Sequence, residues 1–318
     1  MKDFYDVLQI VSLEEAVSEA EKIFAQIFPT AGFDAVRLAV ETVLDLYEGR
    51  YPGYRACNTY YHDFCHIRDT FLATARLIHG AWLDDEVFSE QAICVALTAA
   101  LFHDAGYIQE NFNSEGTGAK FTKIHIPRSM DIFERYGREH AMSDEDIAGG
   151  RAMIQCTDIS KDIDNAMFSS SESELLGRML TMADLLAQMS DRIYLEKLLF
   201  LYHEFDEGQF GSYADEDDLL RKTLGFFEFV MEYMSRTLNK TNDYLWLHFK
   251  CRWGIDINLY DRAIKNHKDY LQKILALPDK KLSDNLKRAG IVDKVRVLYP
   301  QKPKNSDTDL PGDTDDRR

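Results

Sequence analysis

Excess basic charge, paired thiols, proline and long apolar runs are all scarce in this chain of 318 residues. The longest nearly apolar run, Ala92–Phe102, is broken only by Thr98. It is about half the ~20 residues that a membrane-spanning helix needs, so it predicts a helix buried in a protein core. The N-terminal stretch carries Asp3, Asp6, Glu14 and Glu15 and lacks the basic and apolar regions of a secretory signal. The five cysteines, Cys57, Cys65, Cys94, Cys156 and Cys251, form no CxxC pair and are odd in number. A reducing cytoplasm is the simplest setting for them. Lys and Arg total 37 against 54 Asp and Glu, a formal charge of −17. With no basic stripe to release counterions from phosphates, neither nucleic acid nor an anionic membrane is expected as a partner. A small phosphorylated ligand stays open, because a bound cation can reverse the local field.

Only seven prolines occur, with none between Pro52 and Pro127 or between Pro127 and Pro278, which leaves long stretches free for helices. Apolar residues recur at helical spacing, and no segment alternates as a strand with hairpin turns. The fold class is therefore all-α. Helices are predicted from Leu13 to Phe24, Phe33 to Tyr47, Thr59 to Ile78, Ser89 to His103, Pro127 to Tyr136 and Asp144 to Gln155. One long helix follows from Glu172 to Phe205, capped by Ser171 or Ser173. Asp217 to Leu238, Leu259 to Leu277 and Leu282 to Leu298 complete the set. Leu195, Leu198, Leu199 and Tyr202 read as core or as a surface for a second copy of the chain. The loop Gly106–Thr122 is long enough to be functional. Its aromatics Tyr107, Phe112 and Phe121 read best as anchors to the core. Residues 1–299 read as one domain with a helical extension from about 194, and the polar stretch 300–318 as a disordered tail.

Three short segments carry candidate chemistry: Tyr61-His62-Asp63-Phe64-Cys65-His66, His103-Asp104-Ala105-Gly106-Tyr107 and Met182-Ala183-Asp184-Leu185. His62 and His66 stand at i and i+4, on one face of a helix. Asp104 ends an apolar run, and Asp184 is set among apolar neighbours. Burying an unpaired carboxylate or imidazole costs several kcal/mol, about 3 or more, unless it is paired or bound to metal. Ligation of a divalent cation explains both positions; the ordinary alternatives are that Asp104 caps a loop and that Asp184 pairs with an arginine such as Arg178 or Arg192. Mixed His and Asp ligands suit Mn, Fe, Zn, Mg or Co better than a thiolate-selective metal. Gln188 and Asp191, at i+4 and i+7 from Asp184, share its helix face, and Gln188 is a candidate substrate contact.

The order H…HD…D resembles the HD-domain superfamily of metal-dependent phosphohydrolases. His62-(x3)-His66 also resembles the YHNxxH segment of cyclic-nucleotide phosphodiesterases, His103–Tyr107 the HDxG segment, and Ala183-Asp184-Leu185 the ADL segment. The resemblance covers about residues 59–192 and implies an HD-type helical bundle with a C-terminal helical extension. It implies that His66, His103, Asp104 and Asp184 ligate a first metal, that Asp104 holds the attacking water and bridges to any second metal, and that His62 gives a proton to the leaving oxygen. His125 lies where a segment similar to HExxS places a ligand of that second metal. Lys123 and Arg128, close by, are candidate phosphate contacts. Asp63 replaces the phosphodiesterase Asn, and Tyr107 stands where its next His would fall.

The leading expectation is hydrolysis of a small phosphate ester or nucleotide, with one or two divalent ions. The alternatives are a cyclic or linear nucleotide phosphodiesterase, a non-catalytic ligand-binding regulator on the same scaffold, and an iron oxygenase.

Overall fold

The structure is a computed structural model that describes residues 4–10, 12–163, 167–277 and 281–300. It is all-α: no strand occurs among the described residues, only an isolated bridge between Tyr54 and Glu110. No helix among them is long and apolar enough to cross a membrane. The expected tail lies, apart from Pro300, outside the described residues.

Three helices form the centre: α4 (Phe64–Leu83), α5 (Glu90–Phe102) and α8 (Ser171–Ser190). Their sequences are apolar nearly all round, which is the pattern of helices covered on every side. α4 is buried almost without a break from Thr70 to Ala81, and α8 from Met179 to Ala187. Amphipathic helices wrap them. α2 (Leu13–Ile27) lies on α4, α3 (Asp34–Tyr47) on α5, and α7 (Asp144–Gln155) on α5 and α8; α6 (His125–Glu139) packs mainly on α7. From the C-terminal part, α11 (Thr241–Trp253) packs on α4 and α12 (Leu259–Leu275) on α8, so the extension is built into the same core. α9 (Tyr194–Glu207) and α10 (Glu216–Thr237) pack on each other and on α8, and α13 (Ile291–Leu298) lies on α9. Leu195, Leu198 and Leu199 are buried within this single chain.

The sequence-based boundaries fail where a polar side chain or a left-handed residue interrupts the helical pattern. α4 starts at Phe64, not Thr59, because the Asp63 carboxylate accepts a hydrogen bond from the His66 amide at 3.0 Å and caps the helix. His62 therefore precedes the helix and does not share a helical face with His66. The long helix predicted to Phe205 is broken after Ser190. There the Asp191 carboxylate accepts bonds from the Ile193 amide (3.1 Å) and from Gln9 (2.8 Å), side-chain partners that compete with the helical ladder. The N-cap of α8 is Ser170. The stretch 282–298 becomes helical only at Ile291, after two 3₁₀ turns and left-handed Ala289 and Gly290. α11 and the short α1 (Phe4–Leu8) had no clear periodicity to announce them.

The α4–α11 crossing is close. A Cβ on Gly80 would stand 1.8 Å from the Tyr244 carbonyl oxygen, so only glycine fits. Beside it, fully buried Arg76 donates to the carbonyls of Val7 and Leu8 and to the Tyr260 hydroxyl. His79 meets His248 at 3.1 Å and Gln26 at 2.8 Å. Gly80→Val is expected to cost about 3 kcal/mol by overpacking, read as a lower urea midpoint with the helical signal retained before the transition. Burial, with Arg252 nearby, holds the His79 imidazole down to about 4. The unfolded chain, with histidine near 6.5, then binds the extra proton. Stability should fall as pH drops from about 6.5 to about 4, and His79→Gln should shallow that fall in urea titrations at a series of pH values.

Candidate metal centre

Each helix of the central trio delivers one part of the site. His66 sits in the first turn of α4, His103 and Asp104 at the C-terminal end of α5, and Asp184 in the middle of α8. His66 Nε2 lies 3.1 Å from His103 Nε2, 3.3 Å from Asp104 Oδ2 and 3.0 Å from Asp184 Oδ1. His103 Nε2 lies 3.4 and 3.6 Å from the same two carboxylate oxygens. All four residues are buried, and the ligating atoms of His66, His103 and Asp104 fall within 4.8 Å of one another. His103 Nδ1 donates to the Ala100 carbonyl at 2.8 Å, which turns its Nε2 lone pair into the cluster. That back-side hydrogen bond is the usual support of a metal-bound imidazole.

The electrostatics describe a site built for positive charge. Burial opposes charge on His66, yet hydrogen bonds and charge from Asp104 and Asp184 overcome it and hold the imidazole up to about 10. His103 is raised for the same reason against the same burial. Burial also opposes ionisation of Asp104, but His103, His66, His62 and His125 together hold its carboxyl well below the usual range. Asp184 is likewise lowered against burial by His103 and His66. Two ionised carboxylates with two inward imidazole nitrogens are a donor set that fits one divalent cation. The arginine pairing that was the ordinary explanation of Asp184 does not occur: Arg178 binds Glu174 and the Thr237 carbonyl, and Arg192 stacks on Tyr5.

Around this cluster three rings stack. Tyr107 stacks on His62 (centroids 4.3 Å apart, planes 11°) and on His125 (4.6 Å, 20°), and the two imidazoles are themselves 6.4 Å apart. His125, at the start of α6, donates from Nδ1 to the Thr122 carbonyl at 2.7 Å, and its Nε2 stands 3.6 Å from Asp104 Oδ1. It thus faces the Asp104 oxygen that His66 and His103 do not use. His62 Nδ1 is 2.7 Å from Glu204 Oε2. Glu204, on α9, also accepts the backbone N–H groups of Tyr60 and Tyr61 through its other oxygen, both at 2.7 Å. This buried carboxylate was not found in the sequence; its one signal was an acid within the apolar stripe of α9. Lys197, two turns earlier on the same face of α9, is buried and reaches Asp63 at 3.3 Å.

The loop after Asp104 is held by close backbone packing. A Cβ on Gly106 would stand 1.9 Å from the His125 carbonyl oxygen, so the HDxG glycine is what lets α6 bring His125 to Asp104. The Gly106 amide donates to the Ser129 hydroxyl at 2.9 Å. Arg128, the expected phosphate contact, is committed within the protein: its guanidinium donates to the carbonyls of Gly106 (2.7 Å) and Ile108 (2.8 Å), pairs with Glu110 at 3.0 Å and lies over Phe121. Lys123 is exposed, on a turn before α6. Tyr107 and Phe121 anchor the loop as expected, whereas Phe112 is 87% exposed and anchors nothing. Gln188 does reach the site. It donates to Asp184 Oδ1 at 2.7 Å and accepts from the Tyr61 hydroxyl at 3.0 Å. A cavity of about 240 Å³ opens beside these residues, bounded by α8, α9 and α10, with His62, Asp184 and Gln188 at its polar end.

One family model covers all of these side chains, matching residues 53–261, about two thirds of the chain. The chain belongs to the Npun_R2479-like family. The Npun_R2479-like match includes every residue of the centre, from His62 through Glu204, and ends in the first turn of α12; α1 to α3 and α13 lie outside it. No curated protein and no solved structure matches the chain.

In chelator-treated protein, Asp184→Asn should lower the His66 titration from about 10 toward neutrality, read from its imidazole proton by NMR. The sign follows from a raised folded value: the stability it contributes is complete below the unfolded 6.5 and is lost as pH rises through about 10.

Proposed function

We propose that this centre is a divalent-metal-dependent phosphohydrolase site for a small phosphate ester. The observation that carries the reading is the meeting of His66, His103, Asp104 and Asp184 from three helices, with inward nitrogens and oxygens 3.0–3.6 Å apart. The resemblance of those residues to HD-domain phosphohydrolases supports it. His66, His103, Asp104 and Asp184 would hold one ion, and His125 with the second Asp104 oxygen would hold another. A bound divalent ion supplies Lewis-acid stabilisation of phosphoryl oxygens and a water of lowered pKa.

The chain's own residues do the rest. Asp104 and Asp184 provide the negative charge that keeps a cation in a buried place. Glu204 accepts from His62 Nδ1, and its carboxylate offsets the charge of the doubly protonated ring, the form in which the other nitrogen carries the proton offered to the leaving oxygen, as general-acid catalysis needs. The stack on Tyr107 fixes the plane of that imidazole. The close packing of Gly106 against α6 keeps His125 opposite Asp104.

A second reading, a nucleotide phosphodiesterase, draws on the His62–Glu204 pair, which suits protonation of an alkoxide leaving group. Turnover on matched phosphomonoesters and phosphodiesters separates the two.

Protein purified without chelator or affinity tag should carry at least one equivalent of transition metal per chain by elemental mass spectrometry. Asp104→Ala should lose metal and hydrolysis with its far-UV circular dichroism largely unchanged; full activity in that variant rejects the site. His62→Ala should reduce turnover by about 10²–10⁴-fold, the usual worth of a general acid, with metal content kept. A loss of metal equal to that in His66→Ala would instead make His62 a ligand.

A further inference from the structure

We propose that the cavity beside the centre receives an apolar body attached to the metal-directed head group, so that, on the phosphohydrolase reading above, the substrate is a phosphate monoester of an apolar alcohol. The cavity, about 240 Å³, begins at His62 and Asp184 and runs outward between α8, α9 and α10. Its walls are largely Leu198, Leu201, Phe205, Phe210, Tyr213 and Phe226. A nucleoside would need free donors and acceptors there, and most polar side chains on the wall are committed elsewhere. Thr157 donates to the Ile154 carbonyl and Thr223 to that of Leu219. Gln188 bridges Asp184 and Tyr61. The wall's one cation among the described residues, Lys222, binds Asp218 at 2.8 Å and the Ser212 carbonyl at 2.9 Å. Nothing on that wall balances a second phosphate or a charged base, and unpaired polar groups of a ligand would lose their hydration without return.

In the reaction, water oxygen bonds to phosphorus and the ester P–O bond breaks with its electron pair on the alcohol oxygen. His62 gives that oxygen a proton, and the proton lost by water returns to His62 through solvent. The sum is ester plus water to alcohol plus phosphate. The apolar alcohol is the half of the substrate that stays in the cavity, on the same side as His62.

The test uses full-length protein and two series of probes. With Mn²⁺ present, calorimetric affinity for n-alkyl phosphonates from ethyl to hexyl should rise about fourfold per methylene. Without metal, n-alkanols should show the same slope in displacing a fluorescent apolar dye. Leu201→Gln and Phe210→Ser, the latter at a residue 44% exposed and so tolerant of change, should each flatten the slope. A flat series, a slope unchanged in both variants, or adenosine monophosphate bound more tightly than hexyl phosphonate overturns the proposal, even if the protein hydrolyses phosphate esters. A steep slope with no phosphate released from any alkyl phosphate keeps the apolar subsite and rejects the hydrolase reading alone.

Discussion

The fold is organised around two buried carboxylates that must not be left alone. Asp104 and Asp184 come from different helices and face the same two imidazoles. An ionised carboxylate in such a place is costly without a counter-charge, and a cation between the two is worth more there than at the surface. In the protein alone the imidazoles of His66 and His103 answer that need: the carboxylates raise both, and the imidazoles lower both carboxyls. A divalent ion would answer it with two charges on one centre. The packing of α4, α5 and α8 is thereby tied to the chemistry, since any shift among them separates opposite charges at low dielectric.

A second carboxylate arrangement governs the outer side. Glu204 spends one oxygen on the amides of Tyr60 and Tyr61 and the other on His62. One side chain of α9 thus fixes the turn before α4 and orients the histidine at its tip. The same helix sends Lys197 to Asp63, the N-cap of α4. α9 lies beyond the segment that resembles HD-domain proteins, yet it positions that segment's first histidine. This gives the C-terminal extension a part in the site and not only in the core.

How much was legible in the sequence follows from how far each interaction reaches along the chain. His103 and Asp104 are adjacent, and a His-Asp pair ending an apolar run is visible without any structure. Asp184 was visible because its neighbours are apolar. His125 was visible only through a resemblance, and its place opposite Asp104 depends on the close approach at Gly106. Glu204 was not visible, because its partners lie some 140 residues away and nothing local marks it. Arg128 turned away from its expected role for a related reason. Nearness in sequence to a motif does not fix where a side chain turns, and the open carbonyls of Gly106 and Ile108 claimed the guanidinium first. The break after Ser190 was missed because helical periodicity continues through it, while the interruption is a single Asp191 side chain satisfying the Ile193 amide.

The charge of the chain bears on what the site can accept. At −17, the protein repels a free anion at long range. Lys197 and Arg128 lie close to the centre and are paired with Asp63 and Glu110. On the proposed reading, recognition of a phosphoryl group there would rest on bound cations rather than on a clamp of basic side chains. A site that concentrates its positive charge in one buried place matches one anionic group well and a chain of phosphates poorly. Binding energy for the rest of such a ligand would then come from surface removed from water, and the wall between α8, α9 and α10 offers it.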